Sequence, residues 1–448
     1  MRRNAYGVYL LLSGLSAAFM SLYGTIATVY RVSTAGLNPL QLVLVGTALE
    51  AACFVVGIPT GMLADIFSRR LLVVIGFLLE GVGFALEGAI PRFETILLAQ
   101  VLWGSGAMCL DGAIEAWVAG EVGDERLGHV FIRASQVGQM CSIAGILGAG
   151  LLATISYNLP LLVAGALMFA LGIVAMLLMR ETAFHPLETA EEASRNTWRA
   201  TRETLRRSAR LVRGSPVILT LLAVAAFYGM SSEGFDRLSD AHILLDIHLP
   251  PLGTFNPVIW FSIIMIAVEL LGIAANEVTR RRVNMQHHVA VARSLFVINA
   301  LLLAGMALFA LANSFALAVA AYLLARMMRR AHQPIYMAWL TQTIDARVRA
   351  TVLSISSQLD ALGQIAGGPV IGVIGNLRSI RAALLAASVM LTPALLLYAR
   401  ATRLKIVPPG DTNDTNDTND TNDTSDTSDT SDTSDTGAAI VTEEVTGG

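Results

Sequence analysis

The stretch AWVAGEVGDERLGHVFIRASQ, residues 116–136, returns as AWLTQTIDARVRATVLSISSQ, residues 338–358, without a gap. The two stretches share Trp117 and Trp339 near their starts and end on the same Ser-Gln dipeptide. The same spacing aligns two pairs of glycines further along: Gly145 with Gly367 and Gly150 with Gly372. Such self-similarity between distant segments indicates two related halves, so the architecture of one half predicts that of the other.

The composition places both halves in a membrane. Hydrophobic residues make up 54% of the 448 residues and charged residues only 15%, and the mean hydropathy is +0.61. Apolar runs of about twenty residues, the length of a helix that crosses a bilayer, recur along most of the chain. Because backbone groups in lipid need internal hydrogen bonds, the sequence predicts an all-α polytopic membrane protein with twelve transmembrane helices. The predicted spans lie near residues 6–30, 40–63, 71–90, 95–118, 130–154, 160–180, 216–238, 256–277, 288–312, 314–340, 351–374 and 381–400.

The spans fall into two groups of six. This grouping predicts two pseudo-symmetric six-helix bundles, residues 1–180 and 216–405. The basic linker between them, residues 181–215, has apolar residues at helical spacing, which predicts a helix on the anionic inner membrane surface. Residues 406–448 are dominated by repeats of Asp, Thr, Asn and Ser, a composition typical of a disordered acidic tail.

The distribution of basic residues predicts the orientation. With the N-terminus inside, the inner segments carry twenty-two arginines and lysines, and the outer segments carry four arginines. This asymmetry indicates a multi-pass protein of the cell membrane with both termini, the linker and the tail in the cytoplasm.

The sequence also excludes several classes of function. The three cysteines fall inside predicted spans without a disulfide framework or a metal-ligand spacing. Phosphate-binding loops and nucleophile motifs do not occur in a plausible context. We therefore expect neither an enzyme nor a nucleic-acid-binding protein, and we expect no cofactor and no metal site.

A motif in the loop between spans two and three resembles a known family. Residues 57–70 read GIPTGMLADIFSRR, which is similar to the signature loop of the major facilitator superfamily, although Ser68 stands where that family usually has Gly. The matching positions are Gly61, Asp65, Arg69 and Arg70. The resemblance covers about residues 1–405 and implies alternating-access transport, with these four residues at a cytoplasmic gate.

A second element points to the drug–proton antiporters of that family. The stretch GGPVIG in span eleven looks like their Gly-Pro helix-packing element, although that element usually lies in span five. The residues expected to serve helix packing are Gly145, Gly367, Gly368, Pro369 and Gly372. One position departs from the antiporter pattern, because Gln100 in span four replaces a usual arginine.

Ionisable residues inside the spans are costly to bury and predict functional sites. Asp111 and Glu115 are four residues apart, so on a helix they share one face. Two close carboxylates in a poorly solvated cavity do not both ionise cheaply, which makes them candidates for proton coupling together with Glu50. An alternative is that Glu115 pairs with Arg133 or Arg126.

The second half carries a cationic cluster, ARMMRRAHQP, in span ten. Arg326, Arg329 and Arg330 are spaced to form one helix face, and Pro334 is expected to break the helix just beyond it. The resemblance implies that spans one, four, seven and ten line the cavity, with Asp111 and Arg326 on opposite walls. The residues expected to line the substrate cavity are Arg326, Arg329, Arg330, Gln333, Glu233, Asp236 and Arg237. Glu233 and Arg237, at i and i+4, have the alternative of neutralising each other.

The combined interpretation is a monomeric secondary transporter that exports amphipathic small molecules, of the drug type, in exchange for protons. The expected partners are membrane lipid, a small-molecule substrate and protons. One alternative is an uptake or exchange carrier for a small metabolite, with an anionic one suiting the arginine cluster. Another is a non-transporting membrane receptor or scaffold.

Overall fold

The computed structural model describes residues 2–66, 68–181, 216–252, 256–282, 288–343 and 349–401. The secondary-structure elements in these ranges are all helices. They are α1 (Arg2–Ser33), α2 (Pro39–Ile66), α3 (Arg69–Ala89), α4 (Phe93–Leu110), α5 (Ala113–Val122), α6 (Asp124–Ala153), α7 (Leu159–Leu178), α8 (Pro216–Leu245), α9 (Ile259–Arg282), α10 (His288–Leu311), α11 (Phe315–Thr343), α12 (Arg349–Leu377), α13 (Ile380–Met390) and α14 (Thr392–Ala401).

These helices confirm the predicted fold class. Each predicted span overlaps one observed span, since α4 with α5 and α13 with α14 form one span each. Ten of the described spans are long and apolar enough to cross a membrane. The other two, α11 and α12, contain ionisable residues that line the cavity described below. The predicted bundle boundaries stay predictions, and most of the linker and all of the tail lie outside the described residues.

Successive spans are antiparallel, which defines two faces of the molecule. The turns after α1, α3, α6, α8, α10 and α12 lie at one face, which we call the distal face. The start of α1 and the ends of α2, α5, α9 and α11 lie at the opposite face, which we call the proximal face. The basic inner segments counted above belong to the proximal face, so we expect this face to be cytoplasmic.

The glycines of the repeat occupy matching positions in three dimensions. A Cβ atom on Gly145 would lie less than 3.0 Å from the backbone of Ala18, where α6 crosses α1. A Cβ on Gly367 would likewise lie 2.6 Å from the carbonyl oxygen of Met230, where α12 crosses α8. The repeat relates α6 to α12 and α1 to α8, so both halves use the same close crossing of small residues.

The second pair of glycines packs between the two halves. Gly150 on α6 lies against Ser262 on α9, whose hydroxyl donates a hydrogen bond to the Ile146 carbonyl. Gly372 on α12 lies against Leu40 on α2. In the first contact, α6 of the first half meets α9 of the second half. In the other, the corresponding helix α12 of the second half meets α2 of the first half, as a pseudo-two-fold axis between the halves requires.

Contacts between the halves concentrate toward the distal face. Gly375, two residues before the end of α12, places its Cβ position 3.0 Å from Cβ of Pro39, the first residue of α2. Gly150 and Ser262 also lie near the distal ends of their helices. The halves are therefore closed together at the distal face.

The expectation that Pro334 breaks a helix is wrong, because α11 runs through it from Phe315 to Thr343. Proline removes a single N–H donor, to the carbonyl of Arg330, and packed membrane helices tolerate this loss. Pro369 likewise lies inside α12. The residues on either side of Pro334 therefore stay on one continuous helix.

Candidate functional site

A cavity of about 520 Å³ lies within the second half of the chain. Four helices surround it: α8, α9, α11 and α12. Its lining combines ionisable, aromatic and small polar side chains: Val224, Ala225, Tyr228, Ser232, Asp236, Met265, Val268, Glu269, Arg326, Arg329, Arg330, His332, Gln333, Tyr336, Met337, Ser356, Ser357 and Asp360. Five of the seven residues predicted to line a substrate cavity are among them.

One carboxylate in this cavity bridges two arginines. Oδ1 of Asp236 accepts from Nη1 of Arg326 at 2.8 Å and from Nη1 of Arg329 at 2.6 Å. All three side chains are about one quarter exposed, at 26–27%. One carboxylate oxygen thus binds two guanidinium groups, and Asp360 in the same cavity wall adds a further negative charge near Arg329.

The third arginine of the cluster has its own partner. Nη2 of Arg330 donates to Oε1 of Glu269 on α9 at 2.7 Å, and the Arg330 side chain is half exposed. The i, i+3 and i+4 spacing on α11 explains why all three guanidinium groups reach the same cavity. The sequence could predict this cationic face, but not that Asp236 and Glu269 on two other helices pair with it.

Aromatic side chains hold the cluster in place. Nε of Arg326 donates to the Tyr322 hydroxyl at 3.0 Å, and the guanidinium of Arg329 lies 5.7 Å from the ring centroid of Tyr228. The His332 ring stacks on Tyr228, with centroids 4.6 Å apart, and its Nε2 lies 2.9 Å from the Tyr398 hydroxyl. Sequence patterns did not single out this aromatic wall, because these aromatic residues resemble ordinary core residues.

Glu233 and Arg237 do not line this cavity. Nε of Arg237 donates to Oε1 of Glu233 at 3.0 Å, so the alternative of mutual neutralisation describes this geometry. The pair lies against Gly46 of α2, where the two halves meet. Glu50, one helical turn along α2, is half-buried, and its strongest charge interactions are with Glu233 and Arg237.

The prediction that Asp111 and Glu115 share one helix face is wrong. The helix ends at Leu110 and resumes at Ala113, and Gly112 between them has φ 72°, a left-handed conformation that favours glycine. Both acidic side chains are exposed, and Asp111 is not part of the described cavity wall opposite Arg326. Their role in proton coupling stays a prediction.

A second cavity, of about 390 Å³, lies in the first half of the chain. Its lining comes from α1, α5 and α6: Tyr9, Ser13, Glu115, Phe131, Ala134 and Ser135. The repeat aligns Glu115 with Met337 and Ser135 with Ser357, and both partners line the first cavity. The halves therefore carry cavities at related positions, with an arginine cluster in one and a single carboxylate beside aromatic rings in the other.

In the signature loop, Arg69 and Arg70 hold their own bundle together. Nη1 of Arg69 donates to the Ala116 carbonyl on α5 at 2.8 Å, and Nη2 of Arg70 donates to the Met176 carbonyl on α7. Ser68 caps α3 by accepting from the Leu71 N–H, and its hydroxyl donates to Glu181. The surroundings of Gly61 and Asp65 lie outside what the structure describes, so the gate stays a prediction.

A buried polar network crosses the first half at Gln100. Nε of Arg31 donates to Oε1 of Glu87 at 2.8 Å, and both side chains are at most 4% exposed. Nε2 of Gln100 donates to Oε2 of Glu87 at 2.8 Å and to the Tyr23 hydroxyl at 3.0 Å. The sequence does not indicate this network, because Arg31 and Glu87 are 56 residues apart in the chain.

Comparisons with known proteins agree with this architecture. The family model of the Major Facilitator Superfamily matches residues 9–292. The chain is 20% identical over 406 residues to the uncharacterized MFS-type transporter YxaM of Bacillus subtilis (strain 168), which covers 88% of this chain and 95% of that protein.

Solved structures share the same fold at low sequence identity. The nucleoside transporter NupG superposes with a TM-score of 0.70 at 13% identity, over 90% of this chain and 100% of the other. A bacterial homolog of the human lysosomal transporter Spinster, inward-facing and unoccupied, has a TM-score of 0.69 at 14% identity, over 90% and 97%. A POT family transporter in complex with a thioalcohol-conjugated peptide has a TM-score of 0.68 at 14% identity, over 89% and 96%.

The family match extends over more than half of the chain, and the repeat it accompanies is visible both in the sequence and in the packing of the glycines. The chain therefore belongs to the major facilitator superfamily, and it is a membrane transporter rather than an enzyme.

Proposed function

We propose that the protein is a proton-coupled secondary transporter for small solutes that carry an anionic group. The substrate site is the cavity of the second half, and the anionic group binds to Arg326 and Arg329. The observation that carries the proposal is the shared carboxylate: two guanidinium groups at 2.8 and 2.6 Å compete for one oxygen of Asp236.

This arrangement allows a substrate anion to replace Asp236 as the partner of one arginine. A carboxylate or phosphate oxygen that binds one arginine leaves Asp236 paired with the other, so neither acid is left buried without a counter-charge. Arginine suits this exchange because its planar fork can hold oxygens of two partners at once. Charges of both signs around the cavity also disfavour a purely lipophilic substrate.

Alternating access follows from the closed distal contact. The distal halves of α2 and α12 touch at Pro39 and Gly375, whereas the residues that line the cavity extend along α8, α11 and α12 toward their proximal ends. In the expected orientation a solute reaches the arginines from the cytoplasm, and separation of the distal contact exposes the site to the other side.

Export of amphipathic organic cations is the second candidate. The smaller cavity favours it, because the exposed Glu115 carboxylate lies beside Tyr9 and Phe131, whose rings are 6.0 Å apart in an edge-to-face arrangement. An acid next to aromatic faces binds an ammonium group through charge and cation–π attraction.

Flux measurements in everted membrane vesicles distinguish the two candidates. A panel of radiolabelled short carboxylates, phosphomonoesters and cationic amphiphiles is offered with and without an imposed pH gradient. We expect saturable, gradient-dependent flux of an anionic compound. Saturable flux confined to the cationic compounds would reject the first candidate in favour of the second.

The arginine cluster is then tested by substitution. Arg329→Gln should raise KM for the anionic compound roughly ten- to a hundredfold, since a charge-assisted hydrogen bond contributes about 1.5–3 kcal/mol. Arg281→Gln is the matched control, because Arg281 is 71% exposed and pairs with Glu277 on the same helix. An equal KM in the two variants would show that the cluster does not bind the substrate.

A further inference from the structure

The two halves approach each other closely at an ion pair inside the membrane. A Cβ atom on Gly46 of α2 would lie less than 3.0 Å from Oε1 of Glu233 and from Nε of Arg237, both on α8. Only a residue without a side chain fits here, so the backbone of α2 rests directly on the charged pair. This contact exists only while the two halves are together.

The pair is enclosed from a second side. A Cβ on Gly368 of α12 would lie 3.1 Å from Cγ of Glu233 and 2.9 Å from Oγ1 of Thr47. The Glu233 side chain is 1% exposed and that of Arg237 is 17% exposed. Closure therefore removes both charges from water, and the pair depends on balanced charge around it.

A third ionisable group completes the cluster from the opposite half. Glu50 lies four residues after Gly46 on α2, on the same helix face and one turn nearer the proximal side. Its strongest charge interactions are with Glu233 and then Arg237, followed by Asp360 and Asp236. With the halves together, two carboxylates therefore face one guanidinium.

The other charged groups around Glu50 do not correct this imbalance. Asp236 on α8 is held by Arg326 and Arg329, and Asp360 on α12 accepts from Gln364 at 2.9 Å. Asp111, at the end of α4, is a further carboxylate in this region, because both it and Glu50 interact electrostatically with Cys53. Asp360 and Asp111 add negative charge, whereas the charge of Asp236 is balanced by its two arginines. None of the three supplies Glu50 with a cation of its own, so closure of the halves disfavours an ionised Glu50.

We propose that Glu50, together with Glu233 and Arg237, forms a proton-binding site that is assembled by closure of the distal contact. When the contact closes, the Glu50 carboxylate takes one proton from the aqueous phase at the proximal side. When the contact opens, Glu50 leaves the ion pair, becomes hydrated and releases the proton. The inference builds on the proposed proton coupling and assigns its carrier to the bundle interface rather than to Asp111 or Glu115.

The linkage sets the direction of the pH effect. Because the closed form binds one more proton than the open form, a lower pH favours closure, by up to about tenfold in the closed-to-open ratio per pH unit. Glu50→Gln imitates the protonated side chain, so the variant should be closed at every pH and lose this dependence.

Spin-label distances measure the closed fraction directly. Labels are attached at Thr34 and Leu377, which are exposed at the distal ends of α1 and α12, in a background with Cys53, Cys109 and Cys141 replaced. The full chain in lipid nanodiscs is measured by double electron–electron resonance between pH 5 and 9. A closed fraction that rises as pH falls in the parent protein and stays high in Glu50→Gln supports the proposal. A closed fraction independent of pH in the parent, or equally pH-dependent in both proteins, overturns it.

Gly46→Ala tests the contact itself. The added methyl group must displace the Glu233–Arg237 pair or separate the halves, so the distance distribution should shift to the open form. Gly24→Ala is the control, because a Cβ there meets no described atom within 4 Å. Identical distance distributions in both variants would show that the contact at Gly46 does not hold the halves together. If Gly46→Ala does not fold, the comparison of the parent protein with Glu50→Gln decides the proposal.

These measurements need no substrate, so their outcome is separate from that of the flux experiment. A pH-independent flux of an anionic solute would contradict the proposed coupling while leaving the substrate site intact. A closed fraction that does not change with pH in the parent protein would contradict the Glu50 site alone.

Discussion

At Gln100 the chain departs from the pattern of the family, but a positive charge is still present nearby. Where an arginine is usual, this chain has a neutral amide that donates to Glu87 and Tyr23. The guanidinium that neutralises Glu87 comes instead from Arg31 on α1, at 2.8 Å. The sequence could not predict this pair, because the two residues are distant in the chain and meet only through the packing of α1 on α3 and α4.

Glu87→Gln should therefore destabilise the protein strongly. The amide keeps the shape of the side chain but leaves the Arg31 charge buried without a counter-charge, which costs about 3–5 kcal/mol. Glu277→Gln, in the exposed pair with Arg281, should cost at most about 1 kcal/mol. Thermal unfolding in detergent, followed by fluorescence-detected size exclusion, compares the two. Equal losses in the two variants would show that the buried network contributes no more than a surface pair.

The helices show which local signals override others. Proline at position 334 predicts a break that does not occur, whereas the glycine at position 112 produces one that was not predicted. A proline removes one hydrogen bond that a packed helix can lose, but a glycine at φ 72° leaves the helical region altogether. Sequence alone does not decide between these outcomes, because glycines within helices are common in membrane spans. For this reason the span limits could be predicted and the internal break could not.

The repeat, by contrast, predicts which glycines matter for packing. Gly145→Ala should reduce the stability of the first bundle by about 1–3 kcal/mol, since its Cβ would overlap the backbone of Ala18 and push α6 away from α1. Gly128→Ala on the same helix is the control, because a Cβ there meets no described atom within 4 Å. Chemical denaturation in mixed micelles measures the difference. A Gly145→Ala variant as stable as the control would mean that the crossing can spread without loss.

At the scale of the whole molecule, the sequence predicts the scaffold better than the site. The hydropathy pattern extends over most of the chain, and the repeat relates residues 116–150 to residues 338–372, so twelve spans and their two-fold relation can be predicted from them. The charged cavity depends on a few side chains that four helices bring together, such as Asp236 and Arg329. The repeat does not show which half carries the charged cavity. The aligned lining residues Glu115 and Met337 differ between the halves, whereas the packing glycines are the same.

The orientation of this scaffold is tested by labelling. Single cysteines at Ser194 in the linker and Ser425 in the tail should react with an impermeant maleimide only after the cells are opened, because the excess of basic residues in the inner segments predicts that both regions are cytoplasmic. A cysteine at Thr154, exposed at the distal face between α6 and α7, should react in intact cells. The reverse pattern would invert the assignment of the proximal face to the cytoplasm.

The way the chain leaves α7 has a mechanical consequence. The Arg180 carbonyl accepts from Nε1 of Trp117 on α5 at 2.9 Å, and the Glu181 carboxylate accepts from the Arg69 N–H at the start of α3 at 2.9 Å. The first residues after α7 are thereby tied to two other helices of the same bundle. A tension applied along the linker is shared among α3, α5 and α7 and does not unwind the end of α7. In the proposed alternating-access cycle, a pull on the chain beyond Glu181 would therefore load three helices of the first bundle rather than the end of α7 alone.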